Sequence, residues 1–291
     1  MTETPMDHGS TWHAVLSSIA VVIALTACTS TRPQPQFVDR MVFVEDDAIE
    51  PVDPAQRDLS KSQLRPNRRT SQAAGRERPT QPALARARCM NRRASNASSI
   101  GRATQGQLVD GCLLPKRGPG WVRRNKSGFG TDETVALVQW ALAEVVGIYP
   151  NTTPVIIGAL SKPGGGPLPR HRSHQSGRDI DIGYYASDNR ALPHFRDMSS
   201  DNIDIDKTWA LIGALLHSGR VHMIFMDYNL QALLYQYLHD EGTAERTLRR
   251  IFQYPAGRKV RTGIIRHARG HRDHFHVRLR CPMTDRDHCV N

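Results

Sequence analysis

His171-Arg172-Ser173-His174-Gln175-Ser176-Gly177-Arg178-Asp179-Ile180-Asp181 is the stretch on which the reading of this chain turns. Asp179 to Tyr185 alternates as a strand does, so Asp179 and Asp181 lie on one face and Ile180 and Ile182 on the other. His174 stands seven residues before Asp181. That separation is roughly 23 Å in an extended chain and roughly 10 Å along a helix. The two side chains can share a site only if the chain turns between them, and Gly177 can take a positive φ without steric cost.

A second segment, His271-Arg272-Asp273-His274-Phe275-His276, leads nearly a hundred residues later into a closing strand, His274–Arg280. Phe275, Val277 and Leu279 share one face of it, and His274 and His276 share the other. Five of the thirteen histidines fall in these two segments, which concentrates the chemistry there. Elsewhere the coarse pattern is a helix opened by Thr131-Asp132-Glu133 and ended by Gly147, and a strand at Val155-Ile156-Ile157. A glycine-rich loop follows at Ser161–Pro167, then a buried helix from about Asp206 to His217 and a strand at Val221–Met226. Helices are expected at Leu230–Leu238 and Ala244–Phe252. Helices and strands do not alternate strictly. The expected fold is therefore α+β, a small antiparallel sheet carrying the site, flanked by helices and preceded by a disordered N-terminal stalk.

Residues 1–28 read as a signal peptide. Its apolar run Ala14–Ala27 ends in Leu25-Thr26-Ala27-Cys28, which resembles a bacterial lipobox with Cys28 as the lipid attachment site, although no Lys or Arg precedes Arg32. Residues 29–90, rich in Pro, Gln, Arg and Ser, read as a disordered linker, and residues 91–291 as the folded domain. Cys89, Cys112, Cys281 and Cys289 remain, without a Cys-x-x-Cys pair. They allow three connectivities, of which Cys89–Cys112 with Cys281–Cys289 closes the shortest loops and is the one expected.

The formal charge is +11, and residues 91–130 alone carry a surplus of seven positive charges. No aromatic-interleaved basic helix, RNP-like strand or zinc-finger spacing accompanies it, so nucleic acid is not an expected partner. An anionic polymer such as a cell-wall glycan, or an acidic lipid surface, fits the charge equally well. No apolar run reaches the roughly 18 residues of a membrane-spanning helix. Lys162–Pro167 lacks the Gly-Lys-Ser/Thr of a phosphate cradle, and no lysine has a serine three residues before it, so no Ser-x-x-Lys nucleophile is present.

His174, Asp181 and His276 make a two-nitrogen, one-oxygen set with an open fourth position, the pattern of a catalytic zinc, one Zn2+ per chain. Such an ion lowers the pKa of a water toward about 7 and polarises a carbonyl. His274, beside His276 on the same face, is the expected general base. His271 is placed to stabilise an oxyanion or hold substrate, and His171 and Asp179 to orient the ligands.

His-x6-Asp followed by His-x-His resembles the zinc peptidases that share a metal core with lysostaphin, D-Ala-D-Ala metallopeptidases and the hedgehog signalling domain. More narrowly, the segment around His174-Gln175-Ser176-Gly177 together with Gly270–Pro282 is similar to the penicillin-insensitive murein endopeptidase family, over roughly Arg102 to Cys289. The resemblance implies His174, Asp181 and His276 as zinc ligands, with His271 and His274 as the additional active-site histidines. It implies a β-lactam-insensitive, periplasmic endopeptidase that cuts D-alanyl–diaminopimelate cross-links and takes peptidoglycan stem peptides as substrate. With Cys28 acylated, the expected location is the periplasm, anchored to the outer membrane, the lipid being the only membrane contact. A zinc D,D-carboxypeptidase of the same superfamily and a non-catalytic peptidoglycan-binding protein are the alternatives. Arg172, with Arg170, Arg178, Arg269 and Arg272, either contacts the carboxylates of the stem peptide or forms a solvated basic face.

Overall fold

Apolar residues recur at three- and four-residue spacing in the first long helix, where Val135, Val138, Leu142 and Val145 are fully buried. In the computed structural model the described residues are 87–91 and 96–291, all within one compact unit. The signal peptide, Cys28 and the linker up to residue 86 lie outside the described residues.

The strands are β1 (Ser98–Arg102), β2 (Gln105–Val109), β3 (Cys112–Leu113), β4 (Arg117–Gly118), β5 (Trp121–Arg123), β6 (Phe129–Gly130), β7 (Val155–Ile157), β8 (Asp179–Gly183), β9 (Val221–Met226), β10 (Ile265–His267), β11 (His274–Leu279) and β12 (Cys289–Val290). The helices are α1 (Asp132–Ile148), α2 (Ile205–His217), α3 (Tyr228–Asp240) and α4 (Glu245–Ile251). Thr131 caps α1, its hydroxyl accepting from the Thr134 N–H at 3.1 Å, while Asp204 and Asp227 cap α2 and α3 in the same way. Gly147 does not end α1, which runs one residue further, because nothing in a helix interior forbids glycine.

The α+β expectation holds, but the sheet is neither small nor purely antiparallel. It has seven strands in the order β10-β9-β11-β8-β7-β5-β4, with β10–β9 and β5–β7 parallel. The antiparallel centre, β9-β11-β8, carries the site. The strands missing from the sequence reading are mostly two or three residues long, too short to show a period. Ile180, Ile182, Ile224, Ile265, Phe275 and Val277 from one face of the sheet join Leu137, Leu142, Trp209 and Leu215 of α1 and α2 in a single buried cluster. The polar alternates of β8 and β11 are thereby directed to the opposite face.

Cys89–Cys112 and Cys281–Cys289 are both bonded, as the shortest-loop pairing predicts. Ala87 and Cys89 pack against the core, so the fold already engages the chain at these residues. Gly177 does turn the chain, at φ +74°, and a Cβ there would meet Leu108 Cδ1 at 2.6 Å.

Arg178 corrects the sequence reading. It is neither a substrate contact nor part of a solvated face, being 1% exposed. Its guanidinium donates to the Leu279 carbonyl at 2.9 Å, the Val290 carbonyl at 2.7 Å, Ser99 Oγ at 3.1 Å and Asn291 Oδ1 at 3.3 Å. It thus ties β11 to the separate sheet β12-β1-β2. Replacing Arg178 by Ala strands these buried acceptors, and equilibrium urea unfolding is expected to show a loss of about 3 kcal/mol or more.

Candidate metal centre

Register brings the two sequence segments together. Across the β8–β11 ladder His276 faces Asp181, Arg278 faces Asp179 and His274 faces Gly183. Directly opposed residues have Cβ atoms about 5 Å apart, within reach of a carboxylate and an imidazole. His174 arrives from the preceding turn, where it adopts φ +67°, a conformation a non-glycine residue holds only under constraint. The constraint is visible: its backbone N–H donates to Asp179 Oδ2 at 2.8 Å.

His174 Nδ1 lies 2.6 Å from the Leu160 carbonyl oxygen and donates to it, which leaves Nε2 as the inward-facing donor atom. That atom is 3.2 Å from Asp181 Oδ1 and 3.1 Å from His276 Nδ1, and the last two are 3.0 Å apart. Three ligands about 2 Å from one ion at tetrahedral angles stand about 3.3 Å from each other, so the donor set fits a single divalent ion. His171 Nδ1 comes to 3.7 Å from Asp181 Oδ2, and the donor atoms of His171, His174 and Asp181 all lie within 4.8 Å of one another. His171 is therefore near enough to act as a ligand itself as well as to support one. Cys89, Cys112 and Asp132 also cluster, but the two sulfurs are bonded to each other.

Asp179 is held by Arg278, whose Nε and Nη2 donate at 2.9 and 3.3 Å, and it lies 3.4 Å from His276 Nε2. That nitrogen is buried without an aligned hydrogen-bond partner. Burial opposes ionisation of Asp179, Asp181 and His276 and is outweighed at all three. Against burial, His276 and Arg278 hold the Asp179 carboxyl well below the usual carboxylate range, and His174 and His276 do the same for Asp181. Burial also favours neutral His276, yet Asp179 and Asp181 push it up to about 9. His171 moves the other way, lowered by burial and by His174.

Around this group His274 Nε2 stands 3.8 Å from Asp181 Oδ1, and the His271 and His274 ring centroids are 4.9 Å apart. Burial, reinforced by His274, lowers His271 to about 4, so its ring is uncharged near neutrality. The His271 carbonyl accepts from Tyr184 Oη and from the Asp227 N–H, both at 3.0 Å, which fixes the loop leading into β11. Arg172 is exposed, and no hydrogen bond or ion pair links it to the cluster among the described residues. Arg170, Arg269 and Arg272 are exposed as well. Sequence reasoning gave no role to Arg278, although strand alternation puts it on the face of His274 and His276. It also passed over the Leu160 carbonyl and Phe195, for which no local pattern exists.

A fold that brings two imidazoles and a carboxylate to ligand spacing, with further histidines beside them, has the donor set that a hydrolytic metal enzyme uses. The model of the penicillin-insensitive murein endopeptidases matches residues 99–217. Two proteins named penicillin-insensitive murein endopeptidase align over a longer stretch. The one from Klebsiella pneumoniae is 30% identical over 204 residues, covering 64% of this chain and 68% of that protein. The one from Haemophilus influenzae is 27% identical over 217 residues, 67% of each chain. The chain belongs to the penicillin-insensitive murein endopeptidase family, a family of metallopeptidases, and is thus a peptide hydrolase. The family-model match ends before His271, so it is the fold that joins His271, His274 and His276 to the matched segment.

The charge pattern has a pH signature. His276 is raised above its ordinary 6.5, so its imidazolium stabilises the metal-free protein fully below about pH 6.5 and ceases to do so as pH rises through about 9. A metal must displace that proton. The unfolding midpoint of metal-free protein is expected to fall across this window while zinc affinity rises. Calorimetry in buffers of different ionisation enthalpy will register the released proton. A flat profile in both would refute the assignment of His276 as a charged partner of the two carboxylates.

Proposed function

We propose that this chain is a zinc-dependent murein endopeptidase hydrolysing D-alanyl–diaminopimelate cross-links between peptidoglycan stem peptides. The observation that carries the reading is the triangle of His174 Nε2, Asp181 Oδ1 and His276 Nδ1, with sides of 3.0 to 3.2 Å. When bound, the ion lowers the pKa of a water toward neutrality and polarises the scissile carbonyl. His274 Nε2, at the rim of the triangle, takes the proton of the attacking water and returns it to the leaving amine. His271 is held uncharged by burial, its Nδ1–H donating to the Arg269 carbonyl at 3.1 Å, and its bare Nε2 is left to hold the substrate by accepting from an amide N–H. The absence of a Ser-x-x-Lys nucleophile leaves β-lactams no serine of that kind to acylate, which supports penicillin insensitivity.

The names of the relatives support a place of action at the cell wall, in the periplasm. No helix among the described residues is long and apolar enough to cross a membrane. A lipid on Cys28, with residues 29–86 as the tether, keeps the enzyme at the outer membrane. Labelled palmitate is expected to incorporate into the wild-type chain and not into Cys28→Ala.

Purified sacculi incubated with the zinc-loaded protein are expected to yield fewer cross-linked muropeptide dimers and more monomers, a change abolished by chelator. Loss of terminal D-Ala alone would mark a carboxypeptidase instead, and co-sedimentation without products a wall-binding protein. His174→Ala is expected to lose the metal. His274→Ala is expected to keep it and lose on the order of 100-fold or more in kcat. Full activity in either variant would overturn the roles given to them.

A further inference from the structure

Asp273 and Phe195 flank His274 from two directions. Asp273 Oδ1 is 2.6 Å from His274 Nδ1. A carboxylate only accepts, so the proton of that hydrogen bond sits on Nδ1, and the neutral ring keeps its lone pair on Nε2. Nε2 is the nitrogen that faces Asp181, at 3.8 Å. Phe195 stacks on the same ring with centroids 4.8 Å apart and planes 14° from parallel.

The phenyl ring is itself seated. A Cβ at Gly158 would lie 2.7 Å from Phe195 Cζ and 3.1 Å from Asp181 Cβ, and one at Gly183 would lie 3.2 Å from Phe195 Cδ1. Two glycines, one next to β7 and one in β8, thus make the recess that lets an aromatic ring lie beside the ligand Asp181 and under His274. The backbone of the Asp273 loop is pinned by the Met198 N–H, which donates to the Arg272 carbonyl at 3.0 Å. Phe195 and Asp273 also wall one groove of about 320 Å³, open mouth included, that runs beside Gly183 and Tyr184.

We infer that Asp273 and Phe195 are the positioning residues of His274, Asp273 selecting the Nδ1–H tautomer and Phe195 the ring plane, so that a bare Nε2 is aimed at the metal position. The inference builds on the proposed role of His274 as general base. It explains why that histidine needs no direct tie to the three ligands: its orientation is set from outside them.

Long-range proton–nitrogen NMR of the full chain, with and without zinc, reads the neutral ring directly. In the wild type Nδ1 of His274 is expected to be pyrrole-like and Nε2 pyridine-like. Asp273→Ala is expected to move most of the population to the Nε2–H form and to lower kcat on muropeptide dimers about 10- to 100-fold, with KM and bound zinc unchanged. Asp273→Asn, whose amide oxygen accepts the same hydrogen bond, is expected to restore the wild-type tautomer and kcat to within a few-fold. Phe195→Ala is expected to keep the tautomer and lower kcat. An Nδ1–H ring that persists in Asp273→Ala, or an Asp273→Asn variant as slow as Asp273→Ala, would overturn the inference. Should the wild type cut no cross-links at all, the endopeptidase reading fails, while the tautomer measurement still decides the role of Asp273.

Discussion

The register of the β8–β11 ladder is the constraint from which the rest of the site follows. Because side chains alternate with a period of two, opposing His276 to Asp181 also opposes Arg278 to Asp179 and turns Ile180, Ile182, Phe275 and Val277 to the core. A slip of one residue would send the imidazole and carboxylate to the helical side and the isoleucines to the polar side. The packing of α1 and α2 against the apolar face therefore protects the chemistry on the other. Burial energy on one side of the sheet specifies geometry on the opposite side.

Asp179 connects the parts. It accepts the N–H of His174, which holds that residue at positive φ, and it takes both donors of Arg278 while facing His276 Nε2. Two carboxylates and several imidazoles crowd a space with little solvent, where each charge is costly unless opposed by another. The metal-free cluster reaches this balance with protonated His276, and its buried Nε2 still lacks an aligned partner. A divalent ion held by His174, Asp181 and His276 would take over the positive role of that proton. The same burial keeps His271 uncharged, so the cluster contains groups of opposite tendency within one pocket, the situation acid–base catalysis requires.

The basic surplus of the chain turns out to be of two kinds. Arg178 and Arg278 are built into the structure, one tying two sheets together and the other holding Asp179. Arg170, Arg172, Arg269 and Arg272 are exposed. Sequence spacing alone treated Arg178 like its exposed neighbours, because a buried arginine differs from a surface one only in the carbonyl groups that chain topology brings to it.

Much was legible before any coordinates. Alternation in Asp179–Ile182 and His274–Leu279 determines which residues share a face, Gly177 marks the turn, and the cysteine spacing indicates the local disulfides, because all of these are short-range consequences of covalent geometry. The helices follow from apolar period and caps such as Thr131 and Asp204 for the same reason. Tertiary structure alone decided the mixed seven-stranded sheet, the burial of Arg178, the approach of His171 to Asp181 and the seating of Phe195 on Gly158 and Gly183. Most of these join residues far apart in the chain. Their meeting depends on strand order and packing, which no local period encodes.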